Sequence, residues 1–166
     1  MAAVIQGRKT VAIDGDFVVF LIGMRINSFW KIWKWWPALS AMPRMLRELA
    51  RNPDLGLLHA RTHLGLRSAT VIQYWRSFAQ LHAYATNRAN EHLPAWTAFN
   101  RAVDANPDVG IWHESYLVHA GEYECIYRDM PRWGLANAGT LVDATGQSTS
   151  AKGRLKLSQG DDQAVS

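Results

Sequence analysis

The apolar residues change their period along the chain, and each change marks an element. Val18, Val19, Phe20, Leu21 and Ile22 form a short run of β-formers after the Asp14-Gly15 turn signal, so Asp16 to Asn27 reads as a strand. The run stops at Met24, well short of the ~20 residues that a membrane span requires. Ala38, Ala41, Met42, Met45, Leu46 and Leu49 then recur at helical spacing, with Ser40, Arg44, Arg47, Glu48 and Arg51 between them. That pattern predicts an amphipathic helix laid on a sheet. Pro37 starts or kinks this segment, and Pro43 implies either a kink or a true start near Ser40. Ser28 suits the N-cap of a short Trp-rich helix ahead of it, and Asn52-Pro53-Asp54 closes the helix.

Leu57 to Leu64 and Ala69 to Trp75 read as the strands of a hairpin about residues 65–67. Ser77-Phe78-Ala79-Gln80 is a capping-box pattern opening a helix, with Phe78, Leu81, His82 and Ala85 on its inner face. Asn87 to Asn90 breaks that helix, and another is expected from Glu91 to Asp104, with Pro94 in its first turn. Gly110 to His119 and Glu122 to Arg128 are expected to pair as a second hairpin about Ala120-Gly121. Residues 1–13 read as an arm and 14–143 as the domain. The Gly/Ser/Thr/Gln/Asp-rich stretch 144–166 reads as a disordered tail.

The order β-α-β-β-α-α-β-β contains βαββαβ once one helix and one strand are set aside. The expected class is α+β: a ferredoxin-like antiparallel sheet with helices on one face. The other face then needs a cover, which a second copy supplies, so a homodimer is expected.

Composition narrows the function classes. A chain of 166 residues, 48% of them hydrophobic, fits one domain with a real core. The net charge of +4 is spread without a basic block, which argues against a nucleic-acid partner. The single cysteine, Cys125, rules out an intrachain disulfide framework and a Cys-rich zinc module. No secretory pattern and no spanning run is visible, so the expected location is cytoplasmic, with no membrane partner. Eight tryptophans stand out, and Trp30, Trp33, Trp35 and Trp36 crowd together. They pack a core or wall a pocket for an apolar small molecule.

The segments Gln73-Tyr74-Trp75-Arg76-Ser77-Phe78, His92-Leu93-Pro94-Ala95-Trp96 and Val109-Gly110-Ile111-Trp112-His113-Glu114-Ser115-Tyr116, with Glu124 to Tyr127 and Met130-Pro131, resemble one family. It was formerly a domain of unknown function and is named for its likeness to a monooxygenase of the fungal fumagillin pathway. The resemblance covers roughly residues 20–140. It implies a dimeric α/β barrel, alongside antibiotic-biosynthesis monooxygenases. It also implies a small tailoring enzyme, cofactor-independent and acting on an apolar polycyclic or terpenoid substrate in secondary metabolism. The same barrel also carries haem enzymes of the aldoxime-dehydratase or peroxidase type, and a non-catalytic binder of an apolar molecule is a third reading. Fold alone does not choose among them.

Several residues have the chemistry for a site. His92 stands near a helix start, where the helix dipole favours neutral imidazole, and spacing of four puts Trp96 on its face. Strand alternation places Trp112, Glu114 and Tyr116 together, and a hairpin about Ala120-Gly121 adds Tyr127. A carboxyl among those rings has a raised pKa and suits a general acid or base. The base is then His92 or Glu114. Tyr74, Tyr116 or Tyr127 donates to the developing oxyanion, and Trp33, Trp36, Trp75, Trp96 and Trp112 line the cavity. Either Tyr74 or Trp75 faces the cleft, and Arg76 binds a substrate carboxylate or caps the strand end. His59 and His63 share a face, but without a further ligand they make no metal motif.

Overall fold

The computed structural model describes residues 2–87 and 107–155. They form two compact units, one within 18–116 and the other made of 2–17 together with 117–155. The first strand of the chain is β1 (Ile5–Ala12), followed by β2 (Phe17–Ile26), α1 (Ile32–Arg51), β3 (Leu57–Leu64), β4 (Ser68–Trp75) and α2 (Phe78–Thr86). After the described gap come β5 (Val109–Val118), β6 (Tyr127–Met130) and β7 (Thr140–Asp143). The helix expected over 91–104 lies outside the described residues.

The 18–116 unit is the ferredoxin-like body. Its sheet has the order β3-β4-β2-β5, and β4 pairs antiparallel with both β2 and β3. Both helices cover one face. Val18 of β2, Leu49 of α1, Trp75 of β4, and Leu81 and Tyr84 of α2 form one core cluster. Trp35 and Leu39 of α1 pack on a second cluster of Met24, Ile26 and Val109. The alternation of β2 therefore sends its even-numbered residues to the helices.

The α1 segment is one continuous helix of 20 residues that contains both prolines, so neither starts it. Each proline removes a donor to the carbonyl four residues back. The Ser40 hydroxyl and Arg47 Nε donate to the prolines' own carbonyls, at 3.1 and 3.2 Å. Ser28 is not its cap. Its hydroxyl donates to Asp108, which also receives Lys31 Nζ at 2.9 Å and Lys34 Nζ at 3.1 Å. These donors hold the Asp108 carboxyl down at about 2. Ser77, by contrast, caps α2 as its motif predicts, accepting from the Gln80 backbone N–H at 3.2 Å.

The other unit corrects three expectations. Residues 5–12 are not a loose arm: β1 is the middle strand of a three-stranded sheet, β6-β1-β7, with antiparallel partners on both sides. The second hairpin does not form. The chain turns at residues 119–122, where Glu122 N–H bonds the His119 carbonyl, but β6 then pairs with β1 instead of β5. Residues 123–126 between them are fastened by side chains. The Tyr123 hydroxyl accepts from Ile13 N–H at 2.8 Å and donates to the Val11 carbonyl at 3.3 Å, and the Thr10 hydroxyl donates to the Cys125 carbonyl at 2.8 Å. Residues 146–154 of the expected tail carry regular structure. A 3-10 turn, Gly146–Thr149, leads to a single helical turn, Ala151–Arg154, and Arg154 pairs with Glu124. Residues 156–166 lie outside the described residues.

Candidate active site

A cavity of about 340 Å³ opens between the two helices and the sheet of the 18–116 unit. Its apolar wall comes from Phe20 and Ile22 of β2, Met45, Leu46 and Leu49 of α1, Trp75 of β4, and Phe78 and Leu81 of α2. Polar groups converge on it from three elements: Gln73 of β4, His82 of α2, and His113 and Ser115 of β5. That mixture, apolar walls with a few placed polar groups, is what small-molecule sites are made of.

Local sequence explains each placement. Gln73 and Trp75 are two apart on β4 and so share the helix-facing side, where both are buried. Trp75 Nε1 donates to Gln73 Oε1 at 2.8 Å. An indole N–H is a donor only, which fixes the orientation of the amide and turns its N–H2 into the group available to a ligand. His113 and Ser115 alternate with Trp112, Glu114 and Tyr116 along β5. The His113 ring packs against Phe20 with centroids 5.9 Å apart. His82 follows Phe78 by one helical turn and stacks on it at 6.1 Å. At the back, the Tyr84 hydroxyl donates to Glu48 at 2.9 Å, which ties α2 to α1.

Of the residues picked from sequence, Trp75 lines this cavity. Tyr74 lies on the opposite face of β4, stacked on His59 at 6.5 Å, so Trp75 is the member of that pair that faces the cleft. His59 Nε2 is buried there without a partner among the described residues, and burial lowers the pKa of that imidazole. Trp112, Glu114 and Tyr116 also stand on the face away from the helices. Trp112 lies flat over Gly23, so close that a β-carbon there would fall 2.5 Å from its indole nitrogen. Glu114 is exposed, and the burial that its proposed role requires is missing. Its carboxylate accepts from the Tyr116 hydroxyl at 2.7 Å, which raises the pKa of that phenol. Tyr127 is opposite Lys9 in the three-stranded sheet, in the other unit, because the second hairpin is absent. Arg76 is exposed, with its backbone N–H on the Gly56 carbonyl. Trp33 and Trp36 are exposed on α1 and do not line the cavity. His92 and Trp96 lie outside the described residues.

Sequence reasoning passed over Gln73, His113 and Ser115. The signal was present: β5 offers two alternating sets, and the aromatic set drew attention away from the set in register with Phe20 and Ile22. Among the described residues no group of three or more metal-ligating side chains occurs, and no helix is long and apolar enough to cross a membrane.

Comparison with known proteins supplies the family. Residues 17–135 match the Monooxygenase af470-like family. The chain belongs to that family. The match includes the whole 18–116 unit, and thus every residue of the cavity. A curated relative, Monooxygenase af470 of Aspergillus fumigatus, is 26% identical over 156 residues, which cover 76% of this chain. The chain spans about half of that relative's length, 52%. Among solved structures, SnoaB, a cofactor-independent oxygenase from Streptomyces nogalater, is similar at 18% identity and TM-score 0.43, covering 61% of this chain and 91% of SnoaB. A dimeric ferredoxin-like protein of unknown function from Jannaschia sp. is similar at 16% identity and TM-score 0.38, covering 58% of this chain and 97% of its own.

Proposed function

We propose that this protein is a cofactor-independent monooxygenase that oxidises an apolar, polycyclic or terpenoid phenol in the cavity between the helices and the sheet. The observation that carries the reading is the convergence of His82, His113, Ser115 and Gln73 on an otherwise apolar cavity of about 340 Å³, at the low end of the ligand-site range. An imidazole is the side chain whose ordinary titration lies nearest neutrality, which suits a general base. His113 removes a proton from an activated C–H of the substrate. The resulting carbanion, delocalised into the phenol, passes an electron to dioxygen, and the two radicals combine as a hydroperoxide. Loss of water leaves a ketone, so CH2 and O2 become C=O and H2O with no outside reductant. Gln73 N–H2 and the Ser115 hydroxyl donate to the phenolate oxygen as charge develops there. The apolar walls hold the ring system of the substrate.

A homodimer belongs to the same reading. The sheet face turned away from the helices carries Val19, Leu21, Ile72, Tyr74 and Trp112, and a second copy of the chain covers such a face. The expected mass in sedimentation at micromolar concentration is twice 18.7 kDa.

The test is oxidation of a tricyclic anthrone in chelator-treated buffer under isotopically heavy dioxygen. The expected product is heavier by one labelled oxygen and lighter by two hydrogens. A Soret band in the purified protein, with turnover tracking it, establishes the haem alternative instead. Recovery of unaltered ligand establishes the binder.

A further inference from the structure

The outward side of α1 carries a pattern that the active site does not use. At 100° per residue, Trp33, Trp36, Pro37, Ser40, Arg44, Arg47 and Arg51 fall on one stripe, opposite the inward Trp35, Leu39, Met45, Leu46 and Leu49. The stripe runs for roughly 27 Å. Its first half is aromatic where a helix facing water is normally polar. Trp33 is 70% exposed and Trp36 57%, and Trp30, just ahead of the helix, is 89% exposed. Phe29 and Ile32 extend the patch. The second half is cationic. Arg44, Arg47 and Arg51 are all exposed, and none of them forms an ion pair among the described residues. The one carboxylate beside them, Glu48, is engaged by the Tyr84 hydroxyl.

We propose that this stripe docks the protein on an anionic phospholipid surface. Indole rings are amphipathic and partition to the boundary between headgroups and acyl chains. Guanidinium groups pair bidentately with phosphate. A helix with the first at one end and the second at the other, both facing outward, fits a headgroup layer in a way that neither half does alone. The nearby Lys31 and Lys34 are both tied to Asp108, whose single carboxylate offsets one of their two charges, so the arginines carry most of the outward positive charge. That carboxylate instead pins the start of α1 and holds the tryptophans outward. No spanning segment is needed, so the absence of one does not bear on a peripheral face. Free phosphate satisfies the arginines but leaves the indoles in water, and a second copy packed stripe to stripe in parallel sets arginine against arginine.

Flotation with vesicles tests this independently of turnover. The wild-type chain is expected to float with vesicles of phosphatidylcholine containing about one-third phosphatidylglycerol, and to stay down with phosphatidylcholine alone. Its tryptophan emission shifts to the blue on binding. W33A/W36A is expected to lose flotation with an unchanged far-ultraviolet circular dichroism spectrum. R44Q/R47Q is expected to lose the preference for anionic vesicles, and millimolar inorganic phosphate to leave binding intact. The proposal is overturned if the wild-type chain ignores both vesicles, or if W33A/W36A floats as well as wild type. It is equally overturned if W33A/W36A changes the sedimenting mass, which assigns the stripe to self-association. Should W33A/W36A misfold, the salt dependence of wild-type flotation decides, because lipid docking through arginine weakens as salt rises.

Discussion

The two faces of the four-stranded sheet are built from the same strands, yet they do different work. On β5, His113 and Ser115 turn to the helices and enter a cavity, while Trp112, Glu114 and Tyr116 turn the other way. On the helix-side face α1 and α2 bury Gln73 and Trp75, while His82, His113 and Ser115 stand at the exposed mouth of the cavity. The opposite face has the more reactive-looking set, a carboxylate hydrogen-bonded to a phenol among aromatic rings. Both sets are exposed along β5, and only His113 and Ser115 line the cavity. Catalytic promise therefore follows which set opens into the cavity, and residue type alone does not reveal it.

Truncating a tryptophan on each face gives the largest contrast. Trp75 is 1% exposed and fills the core between both helices, so Trp75→Ala is expected to cost about 3–5 kcal/mol in chemical denaturation. Trp112 is 39% exposed, and Trp112→Ala is expected to cost well under half of that. Equal losses would mean that the outer face is packed as tightly as the inner one.

Blocking the cavity comes next. Ser115→Trp places an indole in the pocket from the sheet side and is expected to weaken binding of a tricyclic anthrone by ~10-fold or more, about 1.4 kcal/mol. Titration calorimetry reads this directly, and unchanged affinity would move the ligand out of this cavity.

A smaller effect lies at the edge of the same unit. The Asp108 carboxyl is held at about 2 by Ser28, Lys31 and Lys34. A carboxyl depressed on folding stabilises above its ordinary value, and the contribution is lost as pH falls through the folded value. The melting temperature of the wild-type chain is thus expected to fall between about pH 4 and pH 2. Asp108→Asn is expected to melt lower at neutral pH and to lose that part of the acid dependence. Parallel curves for the two proteins would show that the contacts contribute nothing.

The smallest effect is expected on the outer face. Tyr116→Phe removes one exposed hydrogen bond to Glu114 and should leave the melting temperature within error of wild type.

Much of the ferredoxin-like body was legible in the sequence because its signals are local. The β2 run, the hairpin of β3 and β4, the Ser77 cap and the amphipathic α1 each rest on neighbours within a few residues. The failures are non-local. Nothing in residues 122–128 says that their partner strand is β1, more than a hundred residues away, and the misplaced hairpin carried Tyr127 into the wrong sheet. Two prolines argued against a single helix, yet the inward row meets the sheet at both ends, Trp35 and Leu39 on Met24, Ile26 and Val109 and Leu49 on Val18 and Trp75, and that packing outweighs local propensity. The site was half legible. Tyr74 and Trp75 were expected on opposite faces, one of them in the cleft, and the alternation of β5 was read correctly. Which of its two sets faced the helices depended on pairing with β2, and pairing is invisible in a single strand.

Adjacent residues on β5 test the central claim most directly: turnover of a tricyclic anthrone by His113→Gln and Glu114→Gln, measured side by side under dioxygen. Each substitution introduces an amide of similar size, and the two side chains point to opposite faces. His113→Gln is expected to lower kcat by ~100-fold or more, the usual contribution of a general base, while Glu114→Gln turns over at the wild-type rate. A collapse in Glu114→Gln with full turnover in His113→Gln would contradict the account and place the chemistry on the outer face.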